Sequence, residues 1–168
     1  MSVRESIDAI VHELHAAGVE FIIVGATAAV MVGTPILTQD VDIVPRRTLE
    51  NAQRLHEWLL AHGAYHRLDL ANRRLPPTRD VLMGHGHVNL QIDLGMLDIL
   101  CELETGQGYE ELLADTVLVD IGDGKLVRVL SLSRLIAAKA HAGRPKDRAV
   151  LPVLMATLDE QKRRGSSG

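Results

Sequence analysis

The sequence predicts an α/β (α+β) protein: a mixed β-sheet core with flanking helices and a short C-terminal helical segment. Three observations carry this. Residues 21–45, FIIVGATAAVMVGTPILTQDVDIVP, run from an apolar strand through a glycine-started helix and a turn to a second strand. Two later stretches have the pattern of hairpins, Val88 to Cys101 around Asp93-Leu94-Gly95 and Val117 to Leu130 around Gly122-Asp123-Gly124. Apolar residues recur at helical spacing near both ends of the chain.

At 168 residues the chain is long enough for one domain with its own buried core. A formal net charge of -4 argues against coating nucleic acid through bulk charge, yet leaves room for a local basic groove. Arg46, Arg47, Arg67, Arg73, Arg74 and Arg79 either line one side of a cleft or form a solvated face. With one Phe, one Trp and two Tyr, base-stacking platforms are not expected. The single Cys101 cannot form an internal disulfide and lies in an apolar run, so an inert buried thiol in a reducing cytoplasm is expected. The N-terminal residues lack the apolar centre of a signal peptide. The uncharged run 21–37 is broken by glycines and Pro35, so no membrane role is expected.

The first element is a covering helix, Ser2 to Ala17, with Ile7, Ile10, Val11 and Leu14 on one face and Gly18 as its stop. His12 and His15 lie one turn apart but have no carboxylate or cysteine placed to complete a metal site, so they read as surface residues. Phe21 to Val24 is the first strand. Gly25 then opens a helix where a phosphate can approach the backbone closely, near free N–H groups and the positive end of the dipole.

In the next strand the period of two puts Asp40 and Asp42 on one face, with Val41, Ile43 and Val44 available for burial. Two carboxylates in an apolar strand repel each other and lose hydration; a hard divalent cation with oxygen ligands removes both objections. Taken singly, Asp-x-Asp ends a strand and Gly25 makes a turn. Taken in this order, they predict a metal and a phosphate sharing one cleft.

Pro45 ends that strand, and Thr48 caps a helix through Leu55, Trp58, Leu59 and Leu60 to Gly63. Ala64 to Arg67 is a short strand. Leu68 to Gly86 has no sustained period and reads as a long loop with one helical turn near Asp80, the candidate for a substrate-facing lid. His85 and His87 at its end are either an acid-base or ligand pair or an ordinary turn beside a strand. In the following hairpin, Asp98 is embedded in an apolar strand and needs a reason to be there. Asp93 is the competing carboxylate, although an Asx turn already explains it.

Tyr109 to Leu113 forms a short helix before the second hairpin. Ser131 or Ser133 caps a helix carrying Leu135, Ile136 and Lys139 up to Gly143, and Pro145 opens a last helix through Val150, Leu151, Leu154 and Leu158. Pro152 predicts a late start or a kink. Lys139 lies amid apolar neighbours, so its ammonium should face an anion. The resulting organisation is a core over 1–130, a C-terminal helical hairpin over 131–162 packing on it, and a flexible polar tail over 163–168.

The Gly25-Ala26 pair after an apolar strand, the small-residue helix and Asp40-Val41-Asp42 on the next strand resemble the small stand-alone bacterial nucleotidyltransferases of the DNA polymerase beta-like superfamily, the minimal nucleotidyltransferase or AbiEii toxin-like branch. The helix Leu135-Ile136-Ala137-Ala138-Lys139, followed by Gly143-Arg144-Pro145-Lys146-Asp147, is similar to a second motif of that branch, so the likeness spans nearly the whole chain. The family usually has Gly or Ser where Ala26 stands; Ala26 keeps its backbone N–H, and Thr27 has a hydroxyl next door.

The resemblance implies a nucleotidyltransferase-like core over 1–130 and metal-dependent transfer of a nucleoside monophosphate from a nucleoside triphosphate to a hydroxyl, with release of pyrophosphate. It implies Asp40, Asp42 and Asp98 as catalytic ligands of Mg²⁺ (or Mn²⁺), and Gly25, Ala26, Thr27, Lys139, Arg144 and Lys146 as phosphate-binding residues. Arg144 and Asp147 have a local alternative, pairing at a helix corner. The acceptor is an RNA end, a protein side chain or a small molecule, and a partner protein or a homo-oligomer is compatible with the branch. The competing reading is a nucleotidyltransferase-fold partner in a toxin-antitoxin or regulatory complex whose chemistry is weak or lost, with Ala26 as the feature favouring it. No Gly-x-x-x-x-Gly-Lys or Gly-x-Gly-x-x-Gly motif is present, which argues against P-loop and dinucleotide sites.

Overall fold

The computed structural model describes residues 1–166. Its helices are α1 (Val3–Ala16), α2 (Gly25–Met31), α3 (Leu49–Ala61), α4 (Tyr109–Leu112), α5 (Leu132–Ala142) and α6 (Pro145–Ser166), with 3₁₀ turns at Asp80–Met83 and Leu113–Asp115. Its strands are β1 (Phe21–Val24), β2 (Asp40–Pro45), β3 (Tyr65–His66), β4 (His87–Ile92), β5 (Gly95–Leu100), β6 (Thr116–Asp120) and β7 (Leu126–Leu130). The strands form one mixed sheet in the order β3-β4-β5-β2-β1-β7-β6, so the expected α/β class with a mixed sheet is what the chain adopts. β1 runs antiparallel to β2, while β2 with β5 and β1 with β7 are parallel. The outer pairs are antiparallel, β4–β5 and β6–β7 as hairpins and β3–β4 across the irregular stretch 67–86.

Local chemistry sets the element ends. Ser2 and Glu5 form a reciprocal capping box on α1, which buries Ile10, Val11 and Leu14 and packs on β2 and β5. The Thr48 hydroxyl accepts from the Asn51 amide at the start of α3. Buried Asn51 also donates to the carbonyls of Glu20 and Arg46, tying α3 to the ends of β1 and β2. All four residues of β1 are buried, as a central strand requires. Of the two serines considered for α5, Ser131 is the cap, and Gly143 closes the helix in the left-handed region at φ +63°.

Two details differ from expectation. α6 begins at Pro145 and continues through Pro152, so the late start is not taken. Proline inside a helix loses one backbone bond, here to the Arg148 carbonyl, but Val150, Leu154 and Leu158 pack this helix onto the core. α6 also runs to Ser166, into the stretch expected as a tail, whose last residues, 167 and 168, lie outside the described residues. His12 contacts the backbone through both ring nitrogens, 2.7 Å from the Asp8 carbonyl and 2.8 Å from that of Ile121. Cys101 is buried, its thiol pushed up by burial and donating to the Val81 carbonyl. No helix among the described residues is long and apolar enough to cross a membrane.

Candidate active site

The centre of the sheet assembles the cleft. β1 ends at Val24, level with Asp42 of β2, and the parallel neighbour β5 places Asp98 level with Asp42 on the other side. Adjacent strands stand about 4.8 Å apart, so Asp42 and Asp98 are side-by-side neighbours on one face, with Asp40 two residues along. Asp93 lies in the turn after β4, where it accepts from His62 Nδ1 at 2.8 Å, at the opposite end of that hairpin from His87. Geometry thus separates the two candidates for a third carboxylate: Asp98 joins the Asp40–Asp42 face and Asp93 does not.

Gly25 is required twice over. Its φ is +64°, a region disfavoured for side-chain-bearing residues, and a Cβ there would lie 2.1 Å from Asp42 Oδ2. The Asp42 carboxylate therefore rests against the bare backbone where β1 turns into α2.

The carboxylates differ in their partners. Arg67, just after β3, donates to both Asp98 oxygens, at 2.6 and 3.1 Å, and to Asp40 Oδ2 at 3.4 Å. Asn89 also hydrogen-bonds Asp98 from β4; burial raises the Asp98 pKa, and the Asn89 and Arg67 contacts oppose the rise. Among the described residues no hydrogen bond or ion pair reaches the Asp42 carboxylate. Burial first, then the charges of Asp98 and Asp40, push its pKa up to about 7, against the pull of Lys139 and Arg67.

Cations line the facing wall. A cavity of about 260 Å³ touches Gly25, Asp42, Asp98, Lys139, Arg144 and Lys146. An adjoining cavity of about 480 Å³ touches Gly25, Ala26, Asp40, Asp42, Lys139 and Lys146. Asp147 holds this wall in place: fully buried, it accepts from Lys139 Nζ at 3.1 Å and Arg144 Nε at 2.6 Å. Burial alone would raise its pKa, but the Arg144 and Lys139 contacts outweigh it and hold the carboxyl at about 2. The local Arg144–Asp147 pairing thus exists, and Lys139 still borders both cavities.

Thr27 departs from expectation. Its side chain is buried and its hydroxyl donates to the Asp40 backbone carbonyl at 2.6 Å, pinning α2 to β2 instead of facing the cleft. Of the arginines considered for a basic groove, Arg67 is the one that reaches the carboxylates. Arg46 pairs with Glu20 and Glu110, Arg47 with Glu102, and Arg73 with Asp69, while Arg74 stacks over Tyr65. The irregular stretch after β3 is fastened by His56 to the Pro77 carbonyl and by Arg47 to that of Gly84. His85 is engaged with Glu102, whereas His87 borders the smaller cavity.

Asn89 was not considered from sequence, and Arg67 only as one of six arginines for a basic groove. Asn89 was accessible: with a two-residue turn at 93–94, hairpin counting puts it opposite Asp98. Arg67 had no such signal among the other arginines.

The carboxylates suit a hard divalent cation: all donors are oxygen, and among the described residues Asp42 has no ion-pair partner in contact. Yet among the described residues no group of three His, Cys, Asp or Glu side chains is arranged to hold a metal ion. The Arg67 guanidinium sits on Asp98 and Asp40.

A family profile described as nucleotidyl transferase of unknown function (DUF2204) matches residues 3–165. No curated protein sequence matches the chain significantly. Among solved structures, the lincosamide antibiotic adenylyltransferase LnuA, lincomycin-bound, is 14% identical with a TM-score of 0.61, over 91% of this chain and 96% of its own. The antibiotic-resistance factor ANT(2'')-Ia is 15% identical with a TM-score of 0.60, over 96% and 88%. A candidate nucleotidyltransferase from Thermotoga maritima is 17% identical with a TM-score of 0.54, over 88% and 91%. At these identities the likeness is one of fold.

Proposed function

The chain belongs to the DUF2204 family of nucleotidyl transferases, and from that premise we propose that it moves a nucleoside monophosphate from a nucleoside triphosphate to a hydroxyl acceptor, releasing pyrophosphate. The supporting observation is that Asp42 rests on bare backbone at Gly25 and, with Asp40 and Asp98, lines two adjoining cavities shared with Lys139, Arg144 and Lys146. The acceptor oxygen attacks the α-phosphorus, the bond to the α–β bridging oxygen breaks, and the acceptor proton passes to Asp98. Lys139, Arg144 and Lys146, with the amides of Gly25 and Ala26, bind the departing β and γ phosphates. Mg²⁺ or Mn²⁺ held by Asp40, Asp42 and Asp98 supplies the charge neutralisation that lets phosphates approach carboxylates.

In this reading residues 1–130 form the catalytic core and the α5–α6 hairpin its phosphate-binding wall, in a small enzyme of the minimal nucleotidyltransferase type acting in the cytoplasm. A small-molecule acceptor is favoured over an RNA end or a protein, because two neighbours in fold are an antibiotic adenylyltransferase and an antibiotic-resistance factor.

The test is nucleotide binding by calorimetry with Mg²⁺ and with EDTA, followed by pyrophosphate release from each triphosphate in the presence of cell extract. Binding that needs the metal, with label from the α-phosphate transferred to an acceptor, supports the proposal. Equal affinity in EDTA overturns the metal-bridged site, and metal-dependent binding without transfer assigns the chain a regulatory role.

A further inference from the structure

We propose that Arg67 is a resident counter-ion that closes the carboxylate site, so that a divalent metal loads only when the guanidinium leaves. The inference rests on the metal-dependent reading above and concerns what occupies that site beforehand. Arg67 presents two N–H groups to the two oxygens of Asp98 and shares one with Asp40. The side chain is 18% exposed and that of Asp98 12%, so this pair is largely shielded from water and from screening by salt.

A guanidinium fork and a metal ion compete for the same carboxylate lone pairs. An ion bound at about 2.0–2.2 Å from an Asp98 oxygen would displace the donor now 2.6 Å away, and two cations would face each other across one carboxylate. Joint occupancy is therefore strongly disfavoured by charge.

The Arg67 backbone is anchored independently of its side chain. The Arg67 N–H donates to the Asn89 carbonyl at 3.1 Å, and the preceding His66 N–H donates to the Leu75 carbonyl at 2.9 Å. Asp42, which Arg67 does not bond, keeps a carboxylate open toward the cleft. A metal that arrives with a triphosphate brings anionic oxygens that can accept the released guanidinium; a bare ion brings none. Free metal should consequently bind the wild-type protein weakly, and metal with nucleotide should bind far better.

The experiment is titration of Mn²⁺ into the full-length wild type, R67Q, R67K and D98N, by calorimetry and by loss of the free-ion paramagnetic resonance signal, without nucleotide and with a non-hydrolysable triphosphate analogue. R67Q should bind Mn²⁺ alone about tenfold or more tighter than wild type, the scale of a lost charge-assisted hydrogen bond. R67K, which keeps the charge but not the fork, should fall between, and D98N should bind weakly in every case. R67Q or R67K binding Mn²⁺ no tighter than wild type, while wild type with the analogue binds it well, overturns the role of Arg67 and leaves the metal-dependent reading intact. Mn²⁺ binding to none of the proteins, even with the analogue, overturns that reading and this inference with it. Circular dichroism precedes the titrations, and if R67Q does not fold, R67K alone decides the outcome by the same criterion.

Discussion

Asp42 and Asp147 are the same side chain treated in opposite ways. Asp147 is fully shielded from solvent, yet Arg144 and Lys139 hold its carboxyl at about 2. Asp42 borders the cleft, and burial with two neighbouring carboxylates pushes it up to about 7. The difference lies in who was placed nearby. Asp147 sits three residues after Arg144, whose backbone N–H it also accepts at 3.3 Å, so its partner comes from the local chain. The charges that raise Asp42 come from Asp98, brought level by strand pairing, and from Asp40, two residues back on the same strand. A fold that satisfies its structural carboxylate and leaves another short of positive charge marks the place where a ligand is to supply it.

The largest expected effect separates the two residues by activity. Asp42→Asn should lower nucleotidyl transfer by about 10²–10³-fold, the scale of losing one electrostatic centre of a transition state, while leaving the melting temperature unchanged or raised. A lower melting point with nucleotide binding intact would make Asp42 a structural residue and erase the contrast. Asp147→Asn should do the reverse to stability, costing on the order of 3–5 kcal/mol in urea unfolding, because it uncouples Lys139 and Arg144 from a buried partner. A cost below about 1 kcal/mol would show that water replaces the clamp.

Gly25→Ala tests how tightly Asp42 is held. The left-handed backbone costs about 1–2 kcal/mol with a Cβ, and the clash with Asp42 Oδ2 adds to it. In the Gly25→Ala, Asp42→Ala pair the second contribution should vanish, so the double variant should be more stable than the sum of the singles predicts. Strict additivity would mean that the two residues do not touch.

The smallest effect is in pH. In EDTA, Asp42 has a folded pKa of about 7 against 3.8, so its contribution is fully present below about pH 3.8 and lost as pH rises to 7. Asp147 has a folded pKa of about 2 against 3.8, so its contribution is present above about pH 3.8 and lost as pH falls toward 2. Asp42→Asn should flatten only the upper limb, by on the order of 2 kcal/mol once solvent screening is allowed for. A profile unchanged between pH 4 and 7 would show that another group compensates Asp42.

Much of the fold is legible because its signals are local. Strand period fixes the shared face of Asp40 and Asp42, caps fix the starts of α1, α3 and α5, and the turn at Asp93-Leu94 sets the register that faces Asn89 toward Asp98. Less legible is whatever depends on one element meeting another. Thr27 lies beside the phosphate-type turn in sequence, but the way α2 sits against β2 directs its hydroxyl to the Asp40 carbonyl. Arg67 resembles its neighbours Arg73 and Arg74 until β3 pairs with β4 and brings it over Asp98. Pro152 reads as a late start or a kink, and only the packing of α6 on the core shows that the helix starts at Pro145 and carries on through it.

The parallel pairing of β2 with β5 also orders events in time. Asp42 and Asp98 become neighbours only once α3, β3 and β4 have crossed between them, a contact of long sequence separation whose loop entropy must be overcome before any bond forms. A refolding chain should therefore recover its helical circular dichroism before it can capture Mn²⁺ and nucleotide together. Partly folded chains in a cell would accordingly sequester neither, and the appearance of bound nucleotide would serve as a clock for the last step of folding.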